Sequence, residues 1–388
     1  MISINTAMDF DKVIQNADLE DFYQKRVNKL AENLNSTGTD FIVFEDSEDK
    51  RDPAIRYFCG HPSDAALIIS KNAECFLFPW DENLAKEKAS KKAQIISYTK
   101  YNRNSVKAVS SFLENFNNPT VELPPATTYP NFLKFKEDMI SSNLICQENK
   151  NHFFASRMQS IKDEYEIACT RKACSIGNYI MEEIIRARKN KSLSELDVAM
   201  MIDTLARKNN CEGLGFGTLA AGPERSAHIH AFPGYTNRQF WTKGLSILDF
   251  GVIINGYTSD MTCTFVEGPL SKKQETMIQL VQEAAHKSKE FYKPGLKCRD
   301  AHEEAQKVFR NRGFEMPHGL GHGIGLEIHQ WPFASGRALD SDVFQAGNIV
   351  TLEPGLYAER EGGVRWENDI LIAEDGCTSI TNSKIAYL

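Results

Sequence analysis

The sequence predicts two domains of different class: an α/β domain over residues 1–155, then an α+β domain over 156–388 with a largely antiparallel sheet. Three observations predict this. The chain has 388 residues, more than one hydrophobic core usually serves. Its first 150 residues alternate short β-rich runs with helical stretches. After residue 211 the character changes to glycine-rich strands joined by turns, with helices between them, which is the pattern of an α+β domain.

In the first domain, "FIVFE" (41–45), "AALIIS" (65–70), "ECFLFP" (74–79), "AQIISY" (93–98) and "TVELP" (120–124) read as strands. "LEDFYQKRVNKLAENLN", "DENLAKEKASKKA", "SVKAVSSFLENF" and "YPNFLKFKEDMI" read as helices between them. The short apolar runs call for a sheet covered on at least one face. Around 147–160 the pattern breaks into a polar stretch that opens one long helix running to about 188. A second helix follows over "SLSELDVAMMIDTLARKN", where Ser192 and Glu195 have the spacing of a capping box. Strands are expected in "LGFGTLAAGPERSAHIHAFPG", "GLSILDFGVIINGYTSDMTCTFV", "GNIVTLEPGLY" and "GGVRWENDILIAEDG", with helices near 271–291 and 299–312.

Composition narrows the functional classes. Hydrophobic residues make up 41% and charged residues 25%, which fits a soluble globular chain and not a disordered one. The net charge of −7 argues against a nucleic-acid or anionic-membrane partner, either of which would require a basic patch. No run of 18 apolar residues is present, so no membrane span is expected. The opening residues have no basic segment followed by an apolar one, so no secretory leader is expected. The nine cysteines are scattered, odd in number and without a CxxC pair, so free thiols and a cytoplasmic setting are expected.

Two pairs of acids carry the chemistry. In "LDFGVIINGYTSDMT", Asn255-Gly256 between apolar runs predicts a two-residue type I′ hairpin. Counting outward pairs Asp249 with Thr262, so Asp249 and Asp260 become diagonal neighbours on one sheet face. Two carboxylates converging inside an apolar strand pair are costly unless a cation neutralises them. In "TLEPGLYAEREGGVRWENDI", Glu353 and Glu367 flank a second turn, 14 residues apart. They share a face only if the loop has an odd length or a strand bulges, and Gly362-Gly363 can supply either. Arg365, two residues before Glu367, points to the same side.

"PHGLGHGIGLEIHQ" (317–330) adds three of the nine histidines, His318, His322 and His329. His318 and His322 have the i, i+4 spacing of a helical zinc site, but the residues between them are Gly-Leu-Gly and the glycines disfavour a helix. As an extended segment it places 318, 320 and 322 on one side, and the glycines let a substrate or a neighbouring strand approach. Two Asp, two Glu and at least one His form a mostly oxygen-donor set that suits divalent Mn, Co or Zn. Five ligands are too many for one catalytic zinc and suit two metals.

These residues resemble the aminopeptidase P / prolidase / creatinase family, the "pita-bread" metallopeptidases. The resemblance rests on Asp249 and Asp260 in "DFGVIINGYTSD", His322 in "HGLGHGIGLEIH", Glu353 in "LEPGLY" and Glu367 in "GVRWEND". It extends over nearly the whole chain, including a creatinase-like N-terminal domain and the "RMQSIKDEYEIACTRKAC" helix. It implies hydrolysis of Xaa-Pro peptide bonds, as an Xaa-Pro aminopeptidase or dipeptidase, by a hydroxide bridging two divalent metal ions. Manganese is the first choice of metal, with cobalt or zinc as alternatives. Asp249 would chelate one metal, Asp260 and Glu367 would bridge, and His322 and Glu353 would complete the other. Glu353 would also take a proton from the bridging water. His318 and His329 match substrate-pocket histidines. His230 in "HIHAFPG" matches a histidine that assists proton transfer, ahead of His228. Arg365 matches an arginine that holds carboxylates near the site and, with His318 and His329, would bind substrate. An apolar pocket for the proline ring, lined by nearby Tyr, Phe and Trp, is expected, as is a homodimer, since dimers are common in the family.

Two positions depart from the family pattern. Cys263 stands where many members carry arginine, and Asn368 where an acid is common. Neither is a ligand, and both bear on fine tuning and on substrate class. The alternative enzyme reading is a metal-dependent small-molecule C–N hydrolase or lyase on the same fold. A non-catalytic binding protein of this fold usually loses ligands, and all five are present here.

Overall fold

Short apolar runs become strands in this chain, and polar side chains cap the helices between them. The computed structural model describes residues 9–189 and 192–387. Residues 1–8, which carry part of the expectation of no leader, lie outside them. One unit comprises 17–159; the other comprises residue 160 onward together with the segment ending at Asn16. The boundary expected at 155/156 therefore falls inside a helix, Asn151–Ser160. The helix α1 (Phe10–Asn16) belongs with the second unit. There Lys172 Nζ donates to Asp11 Oδ1, and the Arg171 guanidinium lies 6.0 Å from the Phe10 ring centroid.

In residues 17–159, β1 (Phe41–Asp46), β2 (Ala65–Ser70), β3 (Cys75–Pro79), β4 (Ala93–Ile95), β5 (Thr120–Glu122) and β6 (Asn143–Ile145) form one sheet. Its order is β4-β3-β2-β1-β5-β6, antiparallel through the centre, with β4, β5 and β6 joining in parallel. The helices are α2 (Leu19–Thr37), α3 (Pro53–Cys59), α4 (Glu82–Lys88), α5 (Ser105–Leu113), α6 (Tyr129–Asp138) and α7 (Asn151–Ser160). Val106, Val109 and Leu113 of α5 and Phe135 of α6 pack on Phe41, Val43, Ile68 and Phe78. This is the expected α/β domain. Two elements are additional to the expectation, α3 and β6. The run 93–98 is strand only to Ile95, because Tyr98 opens a 3₁₀ turn.

The single helix expected from about 150 to 188 is two, α7 and a second one in the other unit. Asp163 accepts from the Glu166 N–H at 3.0 Å, while the Glu166 side chain accepts from the Asp163 N–H. This capping box starts a new helix, α8 (Glu164–Ala187). The next capping box is Ser194 with Asp197, two residues beyond the expected Ser192 and Glu195. Glu195 is excluded from a capping role because its carboxylate is buried in other contacts. Helices α9 (Glu195–Lys208), α10 (Lys272–Lys289) and α11 (Cys298–Arg310) complete the set.

Two long hairpins build the antiparallel core. The first runs through β9 (Gly244–Phe250), β10 (Val252–Ile254), β11 (Tyr257–Thr258) and β12 (Met261–Glu267), after two short strands, β7 (Gly213–Leu214) and β8 (Leu219–Ala221). Asn255 and Gly256 both have positive φ, as a type I′ turn requires. Ile254 pairs with Tyr257 and Asp249 with Thr262, in one continuous register.

The second hairpin follows β13 (Gly321–Gly323) and β14 (Gln330–Ala334). It comprises β15 (Ile349–Leu352), β16 (Gly355–Ala358), β17 (Gly362–Arg365) and β18 (Asn368–Ala373). Its loop, 359–361, is odd in length. Gly355 pairs with Arg365 and Leu352 with Asn368, so the shared register sets Glu353 opposite Glu367. β19 (Gly376–Ser379) and β20 (Ile385–Tyr387) close the edges, giving the sheet orders β20-β12-β9-β8 and β14-β13-β15-β18-β19.

Each hairpin is backed by a helix pair. Ala173, Ile176 and Ile180 of α8 and Val198 and Ile202 of α9 pack on Leu248, Phe250, Met261 and Phe265. Met277 and Val281 of α10 and Ala305 and Phe309 of α11 pack on Val350, Leu356, Val364 and Ile370. Each such buried Leu, Ile or Phe contributes about 1.5–3 kcal/mol. The stretch 214–234, expected as strand, is mostly turns, with Leu214 of β7 and β8 its only strand residues. All nine cysteines are free thiols. No described helix is long and apolar enough to cross a membrane.

Candidate metal centre

Both hairpins are interrupted at or near their acids: Asp260, Glu353 and Glu367 sit at breaks, whereas Asp249 stays in the ladder, paired with Thr262 and Leu219. The first breaks at Gly251 and at Ser259-Asp260; the second breaks at Glu353-Pro354 and Trp366-Glu367. These acids, from the breaks and from the neighbouring β9, line one cleft of about 990 Å³. Asp249, Asp260, His322, Glu353 and Glu367 all line it, as do His230, His318, His329 and Arg365. Ligand atoms of Asp260, His322 and Glu367, all buried, lie within 4.8 Å of one another. His322 Nε2 lies 3.6 Å from Asp260 Oδ2 and 3.5 Å from Glu353 Oε1.

The other ring nitrogen decides what Nε2 can do. His322 Nδ1 is 3.2 Å from the Gly323 carbonyl, which can only accept, so Nδ1 carries the proton. Burial, followed by the neighbouring His329 ring at 4.3 Å, lowers the His322 pKa to about 3. A neutral ring thus presents a lone pair to two carboxylate oxygens. Three electron-rich groups face one another, an arrangement that a cation or bound protons must neutralise.

The acids show the same strain. Burial, followed by the charges of Glu367 and Asp249, pushes Asp260 well above the carboxylate range. Burial with Glu353 and Asp249 does the same to Glu367. Burial raises Glu353 to about 7, with Arg365 opposing. Asp249 Oδ1 is buried and has no hydrogen-bond partner. The donor set of carboxylates and one imidazole, together with the orphaned oxygen of Asp249 on the same cleft wall, fits a hard divalent cation.

Several supporting residues carry no motif signal in the sequence. Thr262 Oγ1 donates to Glu367 Oε2 at 2.6 Å and accepts from Arg365 Nε at 3.1 Å. Thr351 Oγ1 accepts from the His322 N–H at 3.0 Å and reaches Glu353 Oε1 at 3.4 Å. Asp369 Oδ2 accepts from the Asp260 N–H at 2.9 Å and from the Cys174 thiol at 3.3 Å. Tyr357 lies between Arg365 and His318: Arg365 Nη1 donates to its hydroxyl at 2.8 Å, and His318 Nε2 lies 3.1 Å from it. His318 Nδ1 donates to the Gly319 carbonyl at 2.7 Å, so Nε2 accepts the Tyr357 proton. Burial lowers the His318 pKa to about 4 and keeps the ring neutral. Only the even spacing of 353, 355 and 357 along the strand hinted at Tyr357.

Arg365, expected to contact substrate, is directed mainly at the protein. Its partners are Thr262, the Ile229 carbonyl at 3.0 Å, Tyr357 and Asp249 Oδ2 at 2.6 Å. Four of its five N–H donors are occupied in this way. Of the two upstream histidines, His230 lines the cleft, whereas His228 is exposed outside it with Nδ1 3.1 Å from the Arg225 carbonyl. The aromatic cleft walls are Phe216 and Phe333; the expected Tyr and Trp do not line it.

Gly321 and Gly323 are required by the close approach of neighbouring backbone, whereas Gly319 lines the cleft. A Cβ at Gly321 would overlap the Thr351 carbonyl oxygen, and one at Gly323 the Trp331 carbonyl. Both departures from the family pattern lie off the cleft. Cys263 Sγ donates to the Lys384 carbonyl, and Asn368 Oδ1 accepts from the Ser383 N–H at 2.8 Å.

A family model for metallopeptidase family M24 matches residues 168–374, more than half of the chain. The chain belongs to metallopeptidase family M24. It is therefore a hydrolase of a family that works with divalent metal ions, and the resemblance read from its five acid and imidazole residues is met. This M24 chain is 28% identical to an Xaa-Pro dipeptidase of Pyrococcus furiosus, over 93% of this chain and 99% of the relative. It is 34% identical to an Xaa-Pro dipeptidase of Pyrococcus horikoshii, over 58% of this chain and 64% of that relative. The solved prolidase from Pyrococcus horikoshii OT3 is similar with a TM-score of 0.80 and 25% identity, covering 93% of this chain and 99% of the other. An X-Pro aminopeptidase from Thermotoga maritima has a TM-score of 0.81 at 24% identity, covering 93% of this chain and 99% of the other, a likeness of fold. The expected pita-bread architecture is the one this M24 member has.

Proposed function

We propose that this M24 member hydrolyses Xaa-Pro peptide bonds, acting on a peptide with proline after the scissile bond, and that it holds two divalent ions, manganese first. Asp249, Asp260, His322, Glu353 and Glu367 are the ligands in this reading. The observation that supports it most is the His322 lone pair facing Asp260 and Glu353, beside the orphaned Asp249 Oδ1. The names of the two Pyrococcus dipeptidases support the substrate class.

Divalent cations held there would supply Lewis acidity and a nucleophile at neutral pH. The chain's own residues do the rest. Glu353, a ligand in this reading, would also take the proton of the attacking water. His318, neutral and fixed by Tyr357, and His329 steady the reacting carbonyl from the cleft wall. His230 assists proton transfer at the leaving group. Phe216, Ile229 and Phe333 offer the apolar surface for a proline ring. A homodimer in the cytoplasm is part of the proposal; the nine free cysteines support a reducing compartment.

A panel of Gly-Pro and longer Xaa-Pro-Yaa peptides, with added Mn, Co or Zn, tests this reading. Hydrolysis of Gly-Pro alone marks a dipeptidase, and hydrolysis of longer peptides an aminopeptidase. Turnover by metal-free protein, or none on any peptide with metal bound, defeats it.

A further inference from the structure

One buried charge in the second unit has no part in the chemistry above. Glu195 opens α9, and its carboxylate is fully buried. Oε1 accepts from the Gly222 N–H at 2.7 Å. Oε2 accepts from the Thr236 N–H at 2.8 Å, the Thr236 hydroxyl at 2.7 Å and Arg225 Nη1. Arg225 is itself buried, and its Nη2 donates to the Pro233 carbonyl. The backbone at the start of α9 adds two more ties: the Glu195 N–H to Arg238 O at 2.9 Å, and the Leu196 N–H to Thr236 O at 2.9 Å.

All of these partners lie on one segment, residues 222–238, and that segment contains no strand. It nevertheless supplies Ile229, His230, Ala231 and Gly234 to the cleft. Apolar packing holds little of it. Between 227 and 239 only Ala231 is buried, and Phe232 is 96% exposed. A buried ion pair is a poor source of net stability, because desolvating two charges offsets much of their attraction. What such a pair supplies is direction: donors at fixed angles, drawn from three points of the loop.

We propose that Glu195 and Arg225 are positioning residues, a buried brace that fixes loop 222–238 and so holds His230 at the cleft wall. This rests on the reading of the cleft as a peptidase site in which His230 assists proton transfer. A displacement of about 1 Å at such a group costs on the order of 100-fold in rate. The brace acts without touching substrate, so its loss should register in kcat through His230.

The test uses full-length, metal-loaded protein. Glu195→Gln keeps the shape and removes the charge. The expected result is a folded protein with unchanged metal content, a kcat on the best Xaa-Pro peptide lower by about tenfold or more, and little change in KM. In a His230→Ala background the same substitution should cost clearly less in kcat than it does in the wild type. A Phe232→Trp reporter should lose fluorescence anisotropy when Glu195→Gln is added. If Glu195→Gln does not fold, Thr236→Val, which removes one donor and keeps the ion pair, and Arg225→Lys carry the same measurements. Unchanged kcat and anisotropy in a folded variant overturn the brace. So does a loss that adds in full to that of His230→Ala. If the wild type cleaves no Xaa-Pro peptide, the peptidase reading has failed, and the anisotropy experiment still decides whether the brace exists.

Discussion

Arg365 Nη2 donates to Asp249 Oδ2 and leaves Oδ1 of this cleft-lining carboxylate without a hydrogen-bond partner. A guanidinium in this position neutralises part of the buried acid cluster and fixes which oxygen is offered to a metal.

Arg365→Met should therefore weaken metal affinity on the order of 10–100-fold. It should also destabilise the protein by roughly 3–5 kcal/mol, because Asp249 is left buried and unpaired. Calorimetric metal titration and denaturant melts of the same samples check both. Wild-type affinity in the variant would remove the orienting role.

Asp260 sits at the centre of the cluster, within reach of His322 and Glu367. Asp260→Ala should abolish both activity and stoichiometric metal binding. Metal analysis after gel filtration, alongside peptide assays, is the measurement. A variant that still turns over peptide refutes the ligand assignment.

Tyr357→Phe removes the hydroxyl that joins Arg365 to His318 and leaves the ring in place. His318 then loses the donor that sets its orientation. A fall in kcat on the order of tenfold or more is expected, with metal content unchanged. Steady-state kinetics with metal analysis separates this from ligand loss.

His318 also links stability to pH. Its folded pKa is lowered to about 4 from 6.5, so below pH 6.5 the unfolded chain takes up a proton that the folded chain refuses. The stabilisation is complete above pH 6.5 and is lost as pH falls toward 4. The loss is on the order of 2 kcal/mol once the ring's partial exposure is allowed for. Melting temperatures from pH 7 to 4 should fall less steeply in His318→Gln than in the wild type. Parallel slopes would show that this ring is not the source.

The two upstream histidines should separate in a matched pair of variants. His230→Ala should lower kcat on the order of 100-fold, whereas His228→Ala, exposed outside the cleft, should leave it within about twofold of the wild type. Equal effects would mean that the cleft assignment of His230 carries no functional weight.

The sequence by itself determined much of this protein. The Asn255-Gly256 turn set a register that carries Asp249 opposite Thr262, because a two-residue hairpin leaves no freedom in the count. The alternation of short apolar runs and helices in the first 150 residues sufficed for an α/β domain, and the five acid and imidazole residues sufficed for the family. Other features were decided only by the tertiary structure. Glu353 opposite Glu367 depended on whether the loop held three residues or four, and residue spacing alone left both open. The polar stretch after 147 became two helices because Glu166 reached back to cap Asp163. Loop 222–238 is held by a charge pair whose partners lie 30 residues apart. Thr262, Thr351, Tyr357 and Asp369 carry no motif, since each earns its role by a hydrogen bond to a residue distant in sequence or on another strand. Local periodicity records which face a side chain takes. Which distant group it then meets is settled only when the two hairpins pack against their helices and bring their acids to one cleft.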